Sequence, residues 1–226
     1  MPATVSQEDT KATKYCDYHH PAVQARAEKL AQGVDAPYRL ALGAFRWVRD
    51  QVPFGFDFIQ IKASDTLQKG YGACFNKSLL LVALLRANQI PARFCSVPVS
   101  RWFMKPYVGP QCALINNPFH HCLVQLRIDG QWSFAEPTLD QATYDKLFRP
   151  LGVKWGIDWS RERQDRLYLD HLKGDPEIHH DIDEVIGRNL GNALLPAPMV
   201  RFFSNSVNQK AWSKIGINPL AAQAAP

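Results

Sequence analysis

Residues 70–85 of the chain read GYGACFNKSLLLVALL. Gly70 and Gly72 permit a tight turn, and the unbroken apolar run at 79–85 predicts a helix that is buried on every face. Cys74 then lies at or near the start of this helix, where unpaired N–H groups and the helix dipole favour the thiolate form of a cysteine. Because the thiolate is the nucleophilic form, the stretch predicts a reactive cysteine at the N-terminus of a central helix.

The composition indicates a chain that folds around one substantial core, or around a core with an appended lobe. It has 226 residues, of which 46% are hydrophobic, and a net charge of +5. The basic residues are scattered, so we do not expect a nucleic-acid partner. The N-terminus lacks the pattern of a signal peptide, and no apolar stretch approaches the ~18 residues of a membrane span. We therefore expect a cytoplasmic protein without a membrane partner, and the composition leaves the oligomeric state open.

The cysteines and histidines do not form the pattern of a cofactor site. The five cysteines are irregularly spaced and include no Cys-x-x-Cys pair, so they predict neither a disulfide framework nor a structural zinc site. Three histidines stand near aspartates in the C-terminal third but match no metal template; they are His171, His179 and His180. We expect a polar loop or helix cap there, with no metal and no organic cofactor.

Local patterns place the other elements. Helices are predicted over residues 21–33, from the N-cap Asp35 through Pro37 in the first turn to a stop at Pro53, and from Cys74 to about Asn88. Residues 54–66 look irregular, residues 90–97 look like a strand, and residues 101–118 look like a long loop or flap. A β-hairpin is predicted over residues 121–136, and helices over residues 161–172 and 181–194.

The hairpin places a histidine beside a carboxylate. If Asp129 and Gly130 are the turn, His121 and Glu136 project from the same face as diagonal neighbours, roughly 7 Å apart at the backbone. Asp140 is the alternative neighbour if the strand continues, but Pro137 cannot donate to a ladder, so Glu136 is favoured. A carboxylate that binds one imidazole nitrogen fixes the tautomer and leaves the other nitrogen to accept a proton from a thiol.

Together these elements resemble the bacterial transglutaminase-like superfamily, a branch of the papain-like cysteine enzymes. The family pattern has a Thr-Leu pair, glycines and the nucleophile at a helix start, here residues 66–74, TLQKGYGAC. A leucine-rich helix and an Ile-Pro-Ala-Arg signature follow, here residues 84–93, LLRANQIPAR. The last part is a strand that opens with the catalytic histidine, then a turn, a tryptophan and an Asp-Pro-Thr motif, here residues 121–138, HCLVQLRIDGQWSFAEPT. Glu136 departs from the family's usual aspartate.

The resemblance implies an α+β, papain-like fold in which the nucleophile starts a buried helix packed on an antiparallel sheet. The catalytic core is expected over residues 21–145. Residues 1–20 are expected to form a flexible N-terminal arm. Residues 146–226 are expected to form a C-terminal extension packed on the core, with a disordered tail at 219–226.

The resemblance also implies acyl transfer or hydrolysis through a thioester. Cys74 would attack an amide carbonyl, His121 would act as base and acid, and Glu136 would orient His121. The N–H of Cys74 is one oxyanion donor, with Gln68 and Tyr71 as candidates for the second. The acyl donor would be a peptide, a protein or a small amide, and the acceptor would be water, as in a protease or amidase, or an amine, as in a transferase. The competing hypothesis is a papain-like scaffold that binds peptides or partners without catalysis.

Overall fold

A bundle of four helices forms the first part of the fold. The computed structural model describes residues 6–156, 158–160, 168–180, 182–187 and 196–219. The four helices are α1 (Pro21–Ala31), α2 (Pro37–Gln51), α3 (Ala63–Lys69) and α4 (Cys74–Ala87). α4 is buried along nearly its whole length because it has no polar face, and the other three helices pack around it. The predicted helix that begins at Cys74 is thus confirmed.

Two details of this bundle differ from the predictions. α2 begins at Pro37 after Ala36, whose side chain makes no cap, so the prediction of Asp35 as N-cap is wrong. Proline at the first helical position sets the backbone without a side-chain cap. α3 overlaps the end of the segment predicted as irregular, and it ends at Gly70 in a left-handed conformation that glycine adopts at little cost.

An antiparallel sheet of four strands packs against α4. The strands are β1 (Ala92–Val99), β2 (Phe119–Ile128), β3 (Gln131–Ala135) and β4 (Glu177–His179), in the spatial order β3-β2-β1-β4. The predicted α+β class, with the nucleophile's helix packed on an antiparallel sheet, is confirmed. β4 was not predicted, because three residues are too few to show an alternating pattern.

The β2–β3 hairpin has the predicted register. Asp129 and Gly130 both have positive φ, at 50° and 80°, as a two-residue hairpin turn of this kind requires. Pairing runs outward from the turn as far as Val124 and Ala135, where β3 ends. The edge of β2 that faces away from β1 is therefore free of β3 over residues 119–123.

Side chains from the two faces of the sheet enter two apolar clusters. One cluster contains α1, α2, α4 and the β2 residues Cys122, Val124 and Leu126. The other contains Phe119 and Leu123 of β2, together with aromatic residues from segments that follow β1 and β3. Successive residues of β2 thus enter opposite clusters, as strand geometry requires.

Short helical segments fill the connections. The predicted loop at 101–118 contains a 3₁₀ turn, Arg101–Met104, then α5 (Lys105–Val108) and a second 3₁₀ turn, Gly109–Leu114. After β3 come α6 (Gln141–Thr143), a π-helical turn, Tyr144–Phe148, and 3₁₀ turns at Arg149–Leu151 and Leu169–His171. The chain continues with α7 (Ile182–Gly187) and α8 (Ala197–Ile215). Two helices are predicted in this region, over residues 161–172 and 181–194, and residues 161–167, 181 and 188–194 of them lie outside the described residues. The sequence does not predict α8.

Residues 6–20, which the sequence predicts as a flexible arm, lie against the core. They include a 3₁₀ turn, Gln7–Asp9, and the fully buried Cys16. The Asp183 carboxylate accepts hydrogen bonds from the Thr13 hydroxyl at 2.7 Å and from the Lys14 and Tyr15 amides. Polar contacts to a distant part of the chain therefore hold this segment, and local composition does not show them. At the other end Pro219 is buried, and residues 220–226 of the predicted tail lie outside the described residues.

Within the described part of the chain, no helix combines the length and hydropathy that a membrane-spanning segment needs.

Candidate active site

Cys74 is the first residue of α4, and the turn before it is held in one conformation. The Asn76 side chain accepts a hydrogen bond from the Ala73 amide at 3.0 Å and donates one to the Phe58 carbonyl at 2.9 Å. A Cβ atom at Gly72 would lie 2.7 Å from Cβ of Asn76, so only glycine permits this close approach. The sequence predicts the glycine-rich turn, and the structure adds Asn76 as the residue that closes it.

The first turn of α4 lies along the open edge of β2. Ser78 Oγ donates to the Cys122 carbonyl at 3.1 Å, and the Cys122 backbone N–H donates to the Cys74 sulfur. Both main-chain groups of Cys122 point away from β1, on the side where β3 has already ended. Because Cys74 sits at this edge, it can contact side chains that leave β2 toward either face, and it hydrogen-bonds to both the His121 and the Cys122 side chains.

His121 and Glu136 form a buried pair. His121 Nε2 lies 2.8 Å from Glu136 Oε1, and each residue is 1% exposed. The ring of His121 packs near the rings of Phe103 and Tyr168, with centroids 5.5 and 5.0 Å away. Because Nε2 faces Glu136, Nδ1 is the nitrogen left for the contact with Cys74. The structure therefore brings together all three residues that the sequence singled out.

Asp140, the alternative carboxylate, has a different role. It caps α6 by accepting hydrogen bonds from the Thr143 amide and hydroxyl, both at 2.7 Å, and it accepts a third from the Phe54 amide at 3.0 Å. These donors occupy its carboxylate, and no hydrogen bond joins it to His121 among the described residues. Glu136 is the carboxylate that contacts the histidine.

The site favours a thiolate beside an imidazolium. Hydrogen bonding by Cys122 is the largest influence on Cys74 and lowers its pKa well below 9.0, assisted by His121 and opposed by burial. Burial alone would lower the pKa of His121, but the charge of Glu136 and the contact with Cys74 outweigh it and raise that pKa from 6.5 to about 10. The two shifts have opposite directions, as expected for one proton that has moved from sulfur to nitrogen.

Cys122 keeps its proton in this arrangement. Burial and the neighbouring Cys74 raise the pKa of Cys122 well above 9.0. A protonated thiol next to a thiolate acts as the hydrogen-bond donor. The sequence indicates only that Cys122 belongs to the core, and its contact with Cys74 follows from the way α4 meets the edge of β2.

The C-terminal helix α8 holds the segment that contacts the turn before Cys74. Asn208 accepts a hydrogen bond from the Phe56 amide at 2.8 Å and donates to its carbonyl at 2.9 Å, and Trp212 Nε1 donates to the Phe54 carbonyl at 2.9 Å. The Gly55 amide in turn donates a backbone hydrogen bond to the Gly72 carbonyl at 3.1 Å. α8 thus reaches the turn before Cys74 through one intervening segment.

The two candidates for a second oxyanion donor have different surroundings. Gln68 is exposed, and the ring of Tyr71 packs on Trp212 with centroids 5.0 Å apart. Neither side chain hydrogen-bonds to Cys74 within the described residues. Both assignments remain predictions.

The three C-terminal histidines have separate partners. Ser96 Oγ lies 2.8 Å from His179 Nε2, His180 Nδ1 lies 2.9 Å from Asp9, and the His171 ring packs near Phe103. Over the described residues, no group of three or more histidine, cysteine or acidic side chains is arranged to hold a metal ion.

Fold and site together define a papain-like arrangement of a cysteine at a helix start and a histidine on a strand. Residues 24–137, about half of the chain, match the family model of the transglutaminase-like superfamily, and the chain belongs to this superfamily. A comparison with curated proteins finds no match.

Two solved structures are similar to the chain. A candidate cysteine protease from Cytophaga hutchinsonii is 22% identical with a TM-score of 0.46, and the match covers 75% of this chain and 51% of that one. Red sea bream transglutaminase is 12% identical with a TM-score of 0.42, and the match covers 89% of this chain and 42% of that one. The chain therefore spans about half the length of the solved structures it matches.

Proposed function

We propose that the protein catalyses acyl transfer or hydrolysis at an amide carbonyl, through a thioester on Cys74 with a Cys74–His121–Glu136 triad. The observation that carries the proposal is the fully buried His121–Glu136 contact of 2.8 Å, with Cys74 hydrogen-bonded to the same imidazole. A buried charge pair of this kind is costly unless every member is paired, so a binding scaffold would gain little by keeping it.

Each residue has a defined step. The Cys74 thiolate attacks the carbonyl carbon, and the Cys74 N–H at the start of α4 points toward the oxygen that becomes negative. The His121 imidazolium then gives its Nδ1 proton to the leaving amine, the C–N bond breaks, and the thioester remains. In the second half His121 removes a proton from the acceptor, which attacks the thioester and releases Cys74. Glu136 orients His121 and stabilises its charged form throughout.

The proposed acyl donor is a peptide, a protein or a small amide such as a glutamine side chain. Water as the acceptor would make the protein a protease or amidase, and an amine would make it a transferase. Cys74 is only 8% exposed, so little of the residue is open to a substrate. This favours an extended or slender acyl group over a bulky one.

The test is to trap the thioester. The full chain is mixed with activated esters of glutamine-containing and unrelated peptides, quenched in acid within seconds, and analysed by intact mass and peptide mapping. We expect an acyl adduct on Cys74, and its decay in the presence of a primary amine, compared with water alone, reports the acceptor.

Two variants make the result decisive. Cys74→Ala should give no adduct, whereas Cys95→Ala, which removes a fully buried cysteine from β1, should acylate like the wild type. An adduct that survives in Cys74→Ala, or peptide binding with no adduct for any ester, would contradict the proposal. The second outcome is the one that a non-catalytic scaffold predicts.

A further inference from the structure

We propose that Cys74 and Cys122 are a redox pair, in which a small hydroperoxide oxidises Cys74 and Cys122 then closes a disulfide with it. All five cysteines are free thiols in the structure. The proposal concerns a covalent modification of the site and does not depend on which acyl group Cys74 carries.

The geometry of α4 against β2 places these two cysteines together. Cys74 and Ser78 lie one turn apart on the same face of α4. Ser78 Oγ is 3.1 Å from the Cys122 carbonyl, and the Cys122 amide donates to the Cys74 sulfur, so both residues of the helix face meet the main chain of residue 122. The two side chains belong to the same apolar cluster and are in hydrogen-bond contact.

None of the other three cysteines is placed to form this disulfide with Cys74. Cys16 lies beside Arg86 near the far end of α4, and twelve residues of helix put that end roughly 18 Å from Cys74. Cys95 pairs with Leu123 and enters the cluster on the opposite face of the sheet. Cys112 lies in that opposite cluster as well.

The order of events follows from access. Cys74 is 8% exposed and Cys122 is fully buried, so an oxidant from solvent meets Cys74 first. The Cys74 thiolate attacks one peroxide oxygen, an S–O bond forms and the O–O bond breaks. Sulfur is oxidised to sulfenic acid, the leaving oxygen takes the proton of the His121 imidazolium, and the peroxide is thereby reduced to water or an alcohol.

The second step uses the proton that Cys122 retains. Its sulfur attacks the sulfenic sulfur, an S–S bond forms and the S–O bond breaks. The released hydroxide takes the Cys122 proton and leaves as water. The disulfide removes the nucleophile from use, protects it from irreversible sulfinic acid, and is opened again by an added dithiol.

The experiment maps the oxidised protein. The reduced full chain is treated with a slight excess of hydrogen peroxide, blocked with iodoacetamide, digested without reductant and analysed by mass spectrometry. We expect a cross-linked peptide that joins Cys74 to Cys122, loss of iodoacetamide labelling at Cys74, and recovery of that labelling by dithiothreitol.

Cys122→Ser is the matched variant, because serine keeps a hydrogen-bond donor beside Cys74 but cannot form a disulfide. It should accumulate Cys74 sulfenic acid, trapped by dimedone, and then sulfinic acid, which dithiothreitol does not reverse. Cys95→Ser should cross-link like the wild type. Sulfinic acid on Cys74 of the wild type without a cross-link, or a cross-link to another cysteine, would overturn the proposal. The wild-type map needs no variant, and an intact thioester trap on the same preparation would show that the proposed function survives such a failure.

Discussion

Replacing Glu136 by glutamine removes the charge beside His121 and leaves the shape of the side chain nearly unchanged. The pKa of His121 is about 10 against the ordinary value of 6.5. That difference of roughly 3.5 corresponds to about 5 kcal/mol in favour of the imidazolium, at ~1.4 kcal/mol for each pKa unit. The charge of Glu136 is the largest contribution in this direction, followed by the hydrogen bonds to Cys74 and to Glu136 and then by the charge of Cys74.

If Glu136 supplies about half of this preference, the substitution weakens the Cys74–His121 ion pair by roughly 2–3 kcal/mol. The pH at which Cys74 becomes a thiolate should then rise, because the imidazolium that stabilises the thiolate is itself less stable. The assay is the rate of iodoacetamide alkylation at Cys74 as a function of pH, read by peptide mapping. Wild-type alkylation should stay fast well below pH 9, and Glu136→Gln should move the midpoint upward.

Asp140→Asn is the control, because Asp140 is buried, acidic and close in sequence but bonds to Phe54 and Thr143. It should lower the free energy of unfolding and leave the alkylation midpoint in place. An unchanged midpoint in Glu136→Gln, or a larger shift in Asp140→Asn, would refute the assignment of Glu136 as the orienting carboxylate.

Three further predictions concern the framework of the site. Burial lowers the pKa of Lys77 from 10.5 to about 8, so between these pH values the unfolded chain binds more protons than the folded chain, and the free energy of unfolding rises with pH. Lys77→Met should remove about 3 kcal/mol of that rise, measured by urea titration at pH 7 and at pH 11. The same pH dependence in Lys77→Met and in the wild type would contradict this prediction. Asn208→Ala leaves the Phe56 amide and carbonyl unpaired and should cost roughly 2–3 kcal/mol in the same assay, whereas a cost near zero would show that α8 does not brace the turn. Asp183→Ala removes three hydrogen bonds to residues 13–15 and should speed proteolysis within residues 6–20; unchanged cleavage would mean that this segment is held by other contacts.

The sequence alone was sufficient for the parts of the fold that local rules control. The Asp129–Gly130 turn fixes the register of the hairpin, so the approach of His121 to Glu136 could be deduced from strand geometry. The apolar run at 79–85 similarly leaves one possibility for α4, a central buried helix that starts at Cys74.

What the sequence did not reveal depends on contacts between distant segments. Cys122 looks like an ordinary core residue, and only the end of β3 at Ala135 opens the edge at which Cys74 meets it. Asn208 carries no local signal, since its role lies in a hydrogen-bonded contact with Phe56, far away in the chain. The same holds for Asp183, which fixes a segment that its own composition describes as loose.

The protonation state of His121 is the most direct test of the Cys74–His121 ion pair. An NMR titration of the imidazole nitrogens, assigned by comparison with His121→Gln, measures it in the resting wild-type protein. We expect an imidazolium at neutral pH and a midpoint near 10. A neutral imidazole with a midpoint near 6.5 would mean that Cys74 is an ordinary thiol, and it would contradict the ion pair on which the proposed chemistry depends.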